Sequence, residues 1–439
     1  MKKLMALALS SVMVLGLAAC GQQKDTKATK PAETKQAEKK QEETKVAESK
    51  ADTKTAATEK PVVWWNRQPS NSTTGELDME ALNFNKNTYY VGFDANQGAE
   101  LQGEMIKKYI EKNGEKLDRN KDGIIGYVLA IGDIGHNDSV ARTRGVRKAL
   151  GTAVEKDGVI LHDAVGTNVD GKATVVKDGE MEIGGKKYII RELASQEMKN
   201  SAGATWDAGT AGNAISTWSS SFGDQIDIVA SNNDGMGMAM FNGWSNANKV
   251  PTFGYDANTD AVAAIKDGYG GTISQHADVQ AYLTLRVLRN VLDGGNMKAG
   301  IDEADDAGNV LTKDVFKYVE KERSFYALNV AVTADNYQEF LDATKPYEPA
   351  SKQLDEAKHP KKKIWLNTYN SADNFLGSTY KPLLQKYDKL LNLEVEYVDG
   401  DGQNESNITN RLGDPAAYDG FGINMIKTDN AASYTQLLK

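Results

Sequence analysis

Leu117-Asp-Arg-Asn-Lys-Asp-Gly-Ile-Ile-Gly-Tyr-Val-Leu-Ala-Ile-Gly-Asp-Ile-Gly-His-Asn-Asp-Ser-Val-Ala-Arg-Thr-Arg144 carries three readings in one run. Its middle, Ile124 to Ile131, is apolar and β-prone, the pattern of a strand buried on both faces. Its first part, Asp118 to Gly126, spaces side-chain oxygens at Asp118, Asn120 and Asp122, with Gly123 for the turn and the Ile124 carbonyl next. That is the spacing of a calcium loop. Its last part brings His136, Asp138 and Arg142 to the point where the strand gives way to a helix from Ser139 to Leu150. A strand of about eight residues spans roughly 25 Å. One element therefore joins a cation loop at one end to a polar ligand site at the other.

Working outward, short apolar runs alternate with amphipathic ones. Val62-Val-Trp-Trp65, Tyr89 to Phe93, Ile226 to Ala230, Thr252 to Tyr255 and Thr272 to Ser274 read as strands; Gln97 to Lys112, Thr210 to Trp218, Met236 to Ala247, Asp260 to Lys266 and Val279 to Leu292 read as helices. Such alternation predicts an α/β fold of two doubly wound lobes with parallel sheets. Gly166 to Ile190, with Gly184-Gly185 between β-branched residues, predicts a hairpin insertion. Phe325 to Thr333 reads as a further strand, and Lys345 to Lys363, rich in Pro, Lys and Glu, as a linker. Beyond it a second doubly wound start follows: strand from Ile364, helix Leu376 to Leu390, strand Leu393 to Val398, strand Phe421 to Ile426 and helix Ala431 to Leu438.

The first 60 residues have a different character. Lys2 and Lys3 precede an apolar run from Leu4 to Leu17, then Leu17-Ala-Ala-Cys20. This is a secretory leader, too short for a membrane span. Leu-Ala-Ala-Cys resembles a bacterial lipobox, which implies lipid on Cys20, attachment to the outer face of the cell membrane and an extracytoplasmic location. Cys20 is the single cysteine, so disulfides within the chain are excluded. Gly21 to Lys60 has almost no large apolar side chains and reads as a disordered tether. The net charge of -9 argues against nucleic acid.

Further motifs stand at strand ends: Asn66, Asp94, Trp206-Asp207, Asn233-Asp234, Asp256, Gln275 and Asp373-Asn-Phe375. With Asp118-x-Asn120-x-Asp122-Gly123 and Gly135-His136-x-Asp138-x-x-x-Arg142 they resemble the bacterial galactose/glucose-binding proteins, the periplasmic-type sugar receptors of ABC transporters. The family's N-terminal segment resembles Ile364 to Lys439, at the wrong end of the chain. The resemblance therefore implies a circular permutation. It implies lobe 1 from residues 61–93, 276–327 and 364–439, lobe 2 from 94–275 and 328–345, and a permutation linker at 346–363. It also places Lys439 close to Pro61.

In such a fold, ligands lie at the carboxyl ends of parallel strands. By resemblance, glucose or galactose is held by Asn66, Asp373 and Phe375 from lobe 1 and by His136, Asp138, Arg142, Trp206, Asn233 and Asp256 from lobe 2. Asp373 receives the O4 hydroxyl, while Phe375 and Trp206 cover the apolar faces of the ring. Gln275 stands where the family usually has Asn. Taken singly, Asp138 and Asp373 read as helix caps, and Trp206 and Phe375 as core. For structural calcium, an EF-hand requires Glu where Leu129 stands; the family closes its site with a distant Glu, here Asp227, and uses Gln where Gly126 stands. The partners implied are a monosaccharide and an ABC permease, with the receptor a monomer. A sensor that docks its closed form on a chemoreceptor or kinase fits the same residues. An enzyme using paired carboxylates fits less well, because Arg142 and His136 suit static recognition and no Ser or Cys nucleophile motif is present.

Overall fold

The computed structural model describes residues 59–71, 74–244, 249–311, 314–342, 352–400 and 404–439. The leader, Cys20, nearly all of the tether and the first third of the 346–363 linker lie outside these residues. Among the described residues no helix is long and apolar enough to cross a membrane.

Two parallel sheets organise the chain. In lobe 1, β1 (Val62–Asn66) is buried along its whole length, Trp64 and Trp65 included. Burial on both faces explains its unbroken apolar sequence. It lies parallel between β2 (Thr88–Phe93) and a strand from the far end of the chain, Gly420–Ile423.

Lobe 2 is built on β3 (Ile124–Ile131). The helix α1 (Ala95–Leu117) precedes it and α2 (Asn137–Ala149) follows. Next come the hairpin strands β4 (Gly179–Ile183) and β5 (Lys186–Glu197), then α3 (Ala208–Phe222), β6 (Ile226–Ser231), α4 (Asp234–Gly243) and β7 (Thr252–Phe253). The spatial order is β7-β6-β3-β5, with β4 antiparallel on β5. Counted from β3 this is 2-1-3-4, a doubly wound order.

Among the described residues the chain crosses between lobes at three places, and it returns to lobe 1 through the linker. Asp94 follows β2, and Gln275 follows β8 (Thr272–Ser274) and leads into α5 (Ala277–Leu292), which is buried in the lobe 1 core. The third crossing, at Leu328-Asn329, divides the single strand expected over Phe325 to Thr333. β10 (Ser324–Ala327) joins the lobe 1 sheet beside the edge strand β9 (Phe316–Val319), whereas β11 (Val330–Val332) pairs with β8 in lobe 2. Asn329 ties two crossings, donating to the Asp94 carbonyl at 3.0 Å and accepting from the Tyr255 hydroxyl at 2.9 Å.

The C-terminal third completes lobe 1 with β12 (Lys362–Thr368), α6 (Lys381–Leu390), β13 (Leu393–Asp399), β14 (Gly420–Ile423) and α7 (Ala431–Leu437). The sheet runs β9-β10-β2-β1-β14-β12-β13. Counted from β12, the strands β12, β13, β14, β1 and β2 lie in the order 2-1-3-4-5, a common doubly wound arrangement. After β14, α7 packs back on the sheet, Tyr434 meeting Trp64 of β1 edge-on at 6.1 Å. The Phe421 N–H donates to the Pro61 carbonyl at 2.9 Å. β14, α7 and β1 thus form a βαβ unit whose last connection is not covalent.

The described part of the linker, residues 352–363, is not a free spacer. Leu354 is buried, Asn392 donates to the carbonyls of Leu354 and His359 at 2.9 and 3.1 Å, and Arg289 donates to the Pro360 carbonyl at 3.0 Å. His359 lies 2.6 Å from Asp293 and 3.2 Å from Asp306. Side-chain partners distant in sequence dock this polar segment, which composition alone does not disclose.

Candidate functional site

All ten sugar-site candidates (Asn66, His136, Asp138, Arg142, Trp206, Asn233, Asp256, Gln275, Asp373 and Phe375) line one narrow slot between the lobes. Arg67, Tyr369 and Leu376 line it too and were not anticipated. Arg67 and Tyr369 follow β1 and β12 directly, so the strand-end rule that picked out Asn66 contained the missing signal. A larger cleft of about 430 Å³ shares Asp138 and is also lined by Asp94, Arg144 and Glu322, but its Lys148 and Glu100 are exposed and pair with each other at 3.4 Å. Buried charge converges in the slot, which makes the slot the candidate site.

From lobe 2, His136 caps α2: its Nδ1 accepts from the Asp138 N–H at 3.1 Å. The neutral ring then carries its proton on Nε2, and Nε2 is buried without a hydrogen-bond partner. Burial, then Arg67 and Arg142, hold the imidazole pKa well below its ordinary value. His136 therefore presents a neutral N–H donor.

Arg142 lies over the Tyr255 ring at 3.5 Å, donates to the Asn232 carbonyl at 2.7 Å and stands 3.7 Å from Asp256. These contacts fix its planar fork before a ligand arrives. Asp256 accepts from Gln275 Nε2 at 2.8 Å, so Gln275 reaches the site through this carboxylate. Asn233 caps α4, accepting from the Met236 N–H at 2.9 Å.

Trp206 stands edge-on to His136 at 5.4 Å. Its φ of 61° is unusual for a bulky residue. Gly132 accommodates the ring, since a Cβ there would lie 2.3 Å from Trp206 Cε3.

From lobe 1, Asn66 ends β1 with φ of 61°, a left-handed conformation Asn tolerates. Arg67 stacks on Tyr369 at 3.7 Å and donates to the Met425 carbonyl at 3.1 Å. Asp373 accepts from the Leu376 N–H at 3.0 Å at the head of a π-helical turn, Phe375–Tyr380. The wider turn precedes α6 where Phe375 faces the slot; such turns recur at functional sites. Asn137 of lobe 2 donates to Ser70 of lobe 1, so the two walls touch.

Burial raises the pKa values of the Asp138, Asp256 and Asp373 carboxyls, opposed by Arg142 at Asp138 and Asp256 and by the Leu376 N–H and the Tyr369 hydroxyl at Asp373. Three carboxylates thus face two arginines and a neutral histidine. Acceptors and donors share the slot with the aromatic rings of Phe375 and Trp206. A ligand whose hydroxyls both donate and accept, on a frame with apolar faces, satisfies this set.

At the other end of β3, Asp118, Asn120, Asp122, Ile124 and Asp227 do not fit a calcium ion while Lys186 Nζ stands 3.6 Å from Asp118 Oδ2, although Asp118 Oδ1 is buried without a hydrogen-bond partner. Such an ion takes about six to eight converging oxygens. Here Asp227 accepts the Gly126 N–H at 2.9 Å and the Arg119 N–H at 3.4 Å, and Asp118 the Gly123 N–H at 3.1 Å. Asp122 accepts the Ile124 N–H at 2.7 Å and Asn120 Nδ2 at 2.9 Å, which points an amide, not an oxygen, at its neighbour. Among the described residues no three His, Cys, Asp or Glu side chains come together as a metal-ligating group.

Comparison with known proteins adds an independent line. A family profile described as a periplasmic binding protein domain matches residues 53–296, and a second profile of the same description matches 361–431. The D-galactose/methyl-galactoside binding periplasmic protein of Haemophilus influenzae is 26% identical over 295 residues, 66% of this chain and 69% of that protein. A xylitol-binding protein of Mycolicibacterium smegmatis is 35% identical over 98 residues, 22% of this chain and 28% of that protein. Among solved structures, an ABC transporter solute binding protein of Actinobacillus succinogenes with bound D-allose is 18% identical, with a TM-score of 0.37 over 60% of this chain and 69% of that one. One from Bacillus halodurans with bound myo-inositol is 17% identical, with a TM-score of 0.38 over 64% of this chain and 69% of that one.

Proposed function

We propose, from the premise that this chain belongs to the periplasmic binding protein family, that it is a lipid-anchored extracytoplasmic receptor for an aldohexose. Its fold is the type I fold of that family, and membership makes it a binding protein, not an enzyme. The observation that carries the reading is the slot itself: Asp373, Asn66 and Arg67 from one lobe face His136, Asp138, Arg142 and Asp256 from the other. Closure of the lobes desolvates these groups together, where hydrogen bonds to charged groups are stronger than neutral ones. A hydroxyl missing from the ligand leaves one of them unpaired, which discriminates against smaller sugars. The name of the Haemophilus relative supports galactose, with its epimer glucose, as the ligand.

Delivery to an ABC permease and attachment through Cys20 complete this reading. We also infer that the chain is a circular permutant. The support is the 2-1-3-4-5 order counted from β12, the βαβ unit with its open connection at β1, and the two family matches at 53–296 and 361–431.

The test is a thermal-shift screen of D-glucose, D-galactose, D-allose, pentoses and polyols with the mature chain. The reading expects the largest stabilisation from glucose or galactose. Stabilisation by a pentose or polyol alone overturns the hexose assignment.

A further inference from the structure

The sugar site leaves two features unused: the Asp118–Asp122 loop and the hairpin of β4 and β5. The structure brings them together. Gly184 and Gly185, with φ of 59° and 83°, make the two-residue turn between β4 and β5. Positive φ at both positions is the turn that matches strand twist, so the register across it is fixed. Ile183 therefore pairs with Lys186, and Ile189 donates its N–H to the Gly123 carbonyl at 3.0 Å. Ile183 also packs on Gly114 of α1, where a Cβ would lie 2.6 Å from Ile183 Cδ1. Gly114 is one turn from the end of that helix, whose C-cap is Asp118. The hairpin tip is thus clamped beside the loop.

We propose that the loop is closed by the chain's own cations, Lys186 and Arg119, and does not take up calcium while Lys186 is in place. Lys186 Nζ stands 3.6 Å from Asp118 Oδ2 and 4.5 Å over the Tyr188 ring. Arg119 Nε stands 3.8 Å from Asp227 Oδ1. The Asp118 and Asp227 side chains are 3% and 1% exposed, and burial pushes the Asp227 carboxyl up to about 7; Lys186 reaches Asp118 from a side chain 55% exposed, and Arg119 is anchored by its bond to the Ile226 carbonyl at 2.7 Å. Two such cations bring the charge of one divalent ion. An ammonium also repels an incoming metal ion at short range, whereas a ligand set built for calcium keeps positive groups away. The hairpin tip, on this account, supplies in cis the positive charge that other loops of this spacing take from solution.

The experiment compares thermal unfolding of the mature wild-type chain, Lys186→Gln and the neighbouring control Lys187→Gln, each in excess chelator and in about 10 mM calcium chloride. The wild type and Lys187→Gln should unfold at the same temperature in both. Lys186→Gln, with Asp118 relieved of its cation, should rise by about 2–6 °C with calcium. A calcium response in the wild type overturns the proposal. So does a Lys186→Gln variant that ignores calcium, or one that responds no more than Lys187→Gln.

Discussion

Asp373→Asn separates recognition from folding at one position. The carboxylate accepts the Leu376 N–H at 3.0 Å, is held by the Tyr369 hydroxyl and faces the slot. Asn caps helices about as well as Asp, so the turn at Phe375 should form and the melting temperature should change by less than about 2 °C. What disappears is the charge. A hydrogen bond to an ionised group contributes about 1.5–3 kcal/mol, a neutral one about 1. Removing the charge from two ligand bonds should then cost about 1–4 kcal/mol, about a 5- to 700-fold loss of affinity. Isothermal titration of both forms with D-glucose and D-galactose measures it, with melting curves alongside. Affinity within threefold of wild type at unchanged stability would refute the reasoning. Lost binding accompanied by a large drop in melting temperature would reduce Asp373 to a cap.

Gly132→Ala should push a methyl into the Trp206 ring, whose Cε3 lies 2.3 Å from the added Cβ, and weaken sugar binding at least tenfold by about 1.4 kcal/mol or more; unchanged titration isotherms would show that Trp206 does not cover the ligand. Arg147 and Glu192, both fully buried and paired at 2.7 Å, join α2 to β5, so Arg147→Met strands a buried carboxylate and should lower the melting temperature by about 5–15 °C. Replacing both partners with apolar residues should restore most of it, and a double variant as unstable as the single one counts against the pairing argument. Asp138, Asp256 and Asp373 have folded pKa values raised by burial, so the stability they contribute without sugar is full at low pH and is lost as pH rises through those values. Sugar hydroxyls bond the ionised forms, so the sugar-induced melting shift should be larger at about pH 7.5 than at about pH 5; equal shifts would contradict this. A rearranged chain that starts at Lys362, runs through Lys439 directly into Pro61 and ends at residue 342 should fold and bind like the original. Failure of that protein to melt cooperatively would sink the permutation.

The sequence was most legible where one principle decided the outcome. Strands buried on both faces, such as Val62–Asn66 and Ile124–Ile131, have no alternative reading, and residues just past their carboxyl ends converge because parallel sheets aim them at one crevice. Asp138 and Asp373 show why single motifs understate function: each sits at the start of a helix, and only their meeting across the slot separates a ligand group from a capping one. Phe325 to Thr333 misled because the crossing at Leu328-Asn329 is set by Asn329 bonding Asp94 and Tyr255, distant in sequence. Leu354 was hidden in a polar segment, since its burial depends on Asn392 and on lobe 1. The loop from Asp118 to Asp122 kept its calcium spacing while Lys186, more than sixty residues onward, changed what faces it. Spacing within a motif does not report charges delivered from elsewhere.

The most direct measurement is calorimetric titration of the mature chain with D-galactose and D-glucose. The account predicts binding of one sugar per chain, at micromolar or tighter dissociation constants for at least one of the two. The same titration on Asp373→Asn should be weakened by the factor given above. No measurable heat with either hexose, or equal binding by the wild type and Asp373→Asn, would contradict it.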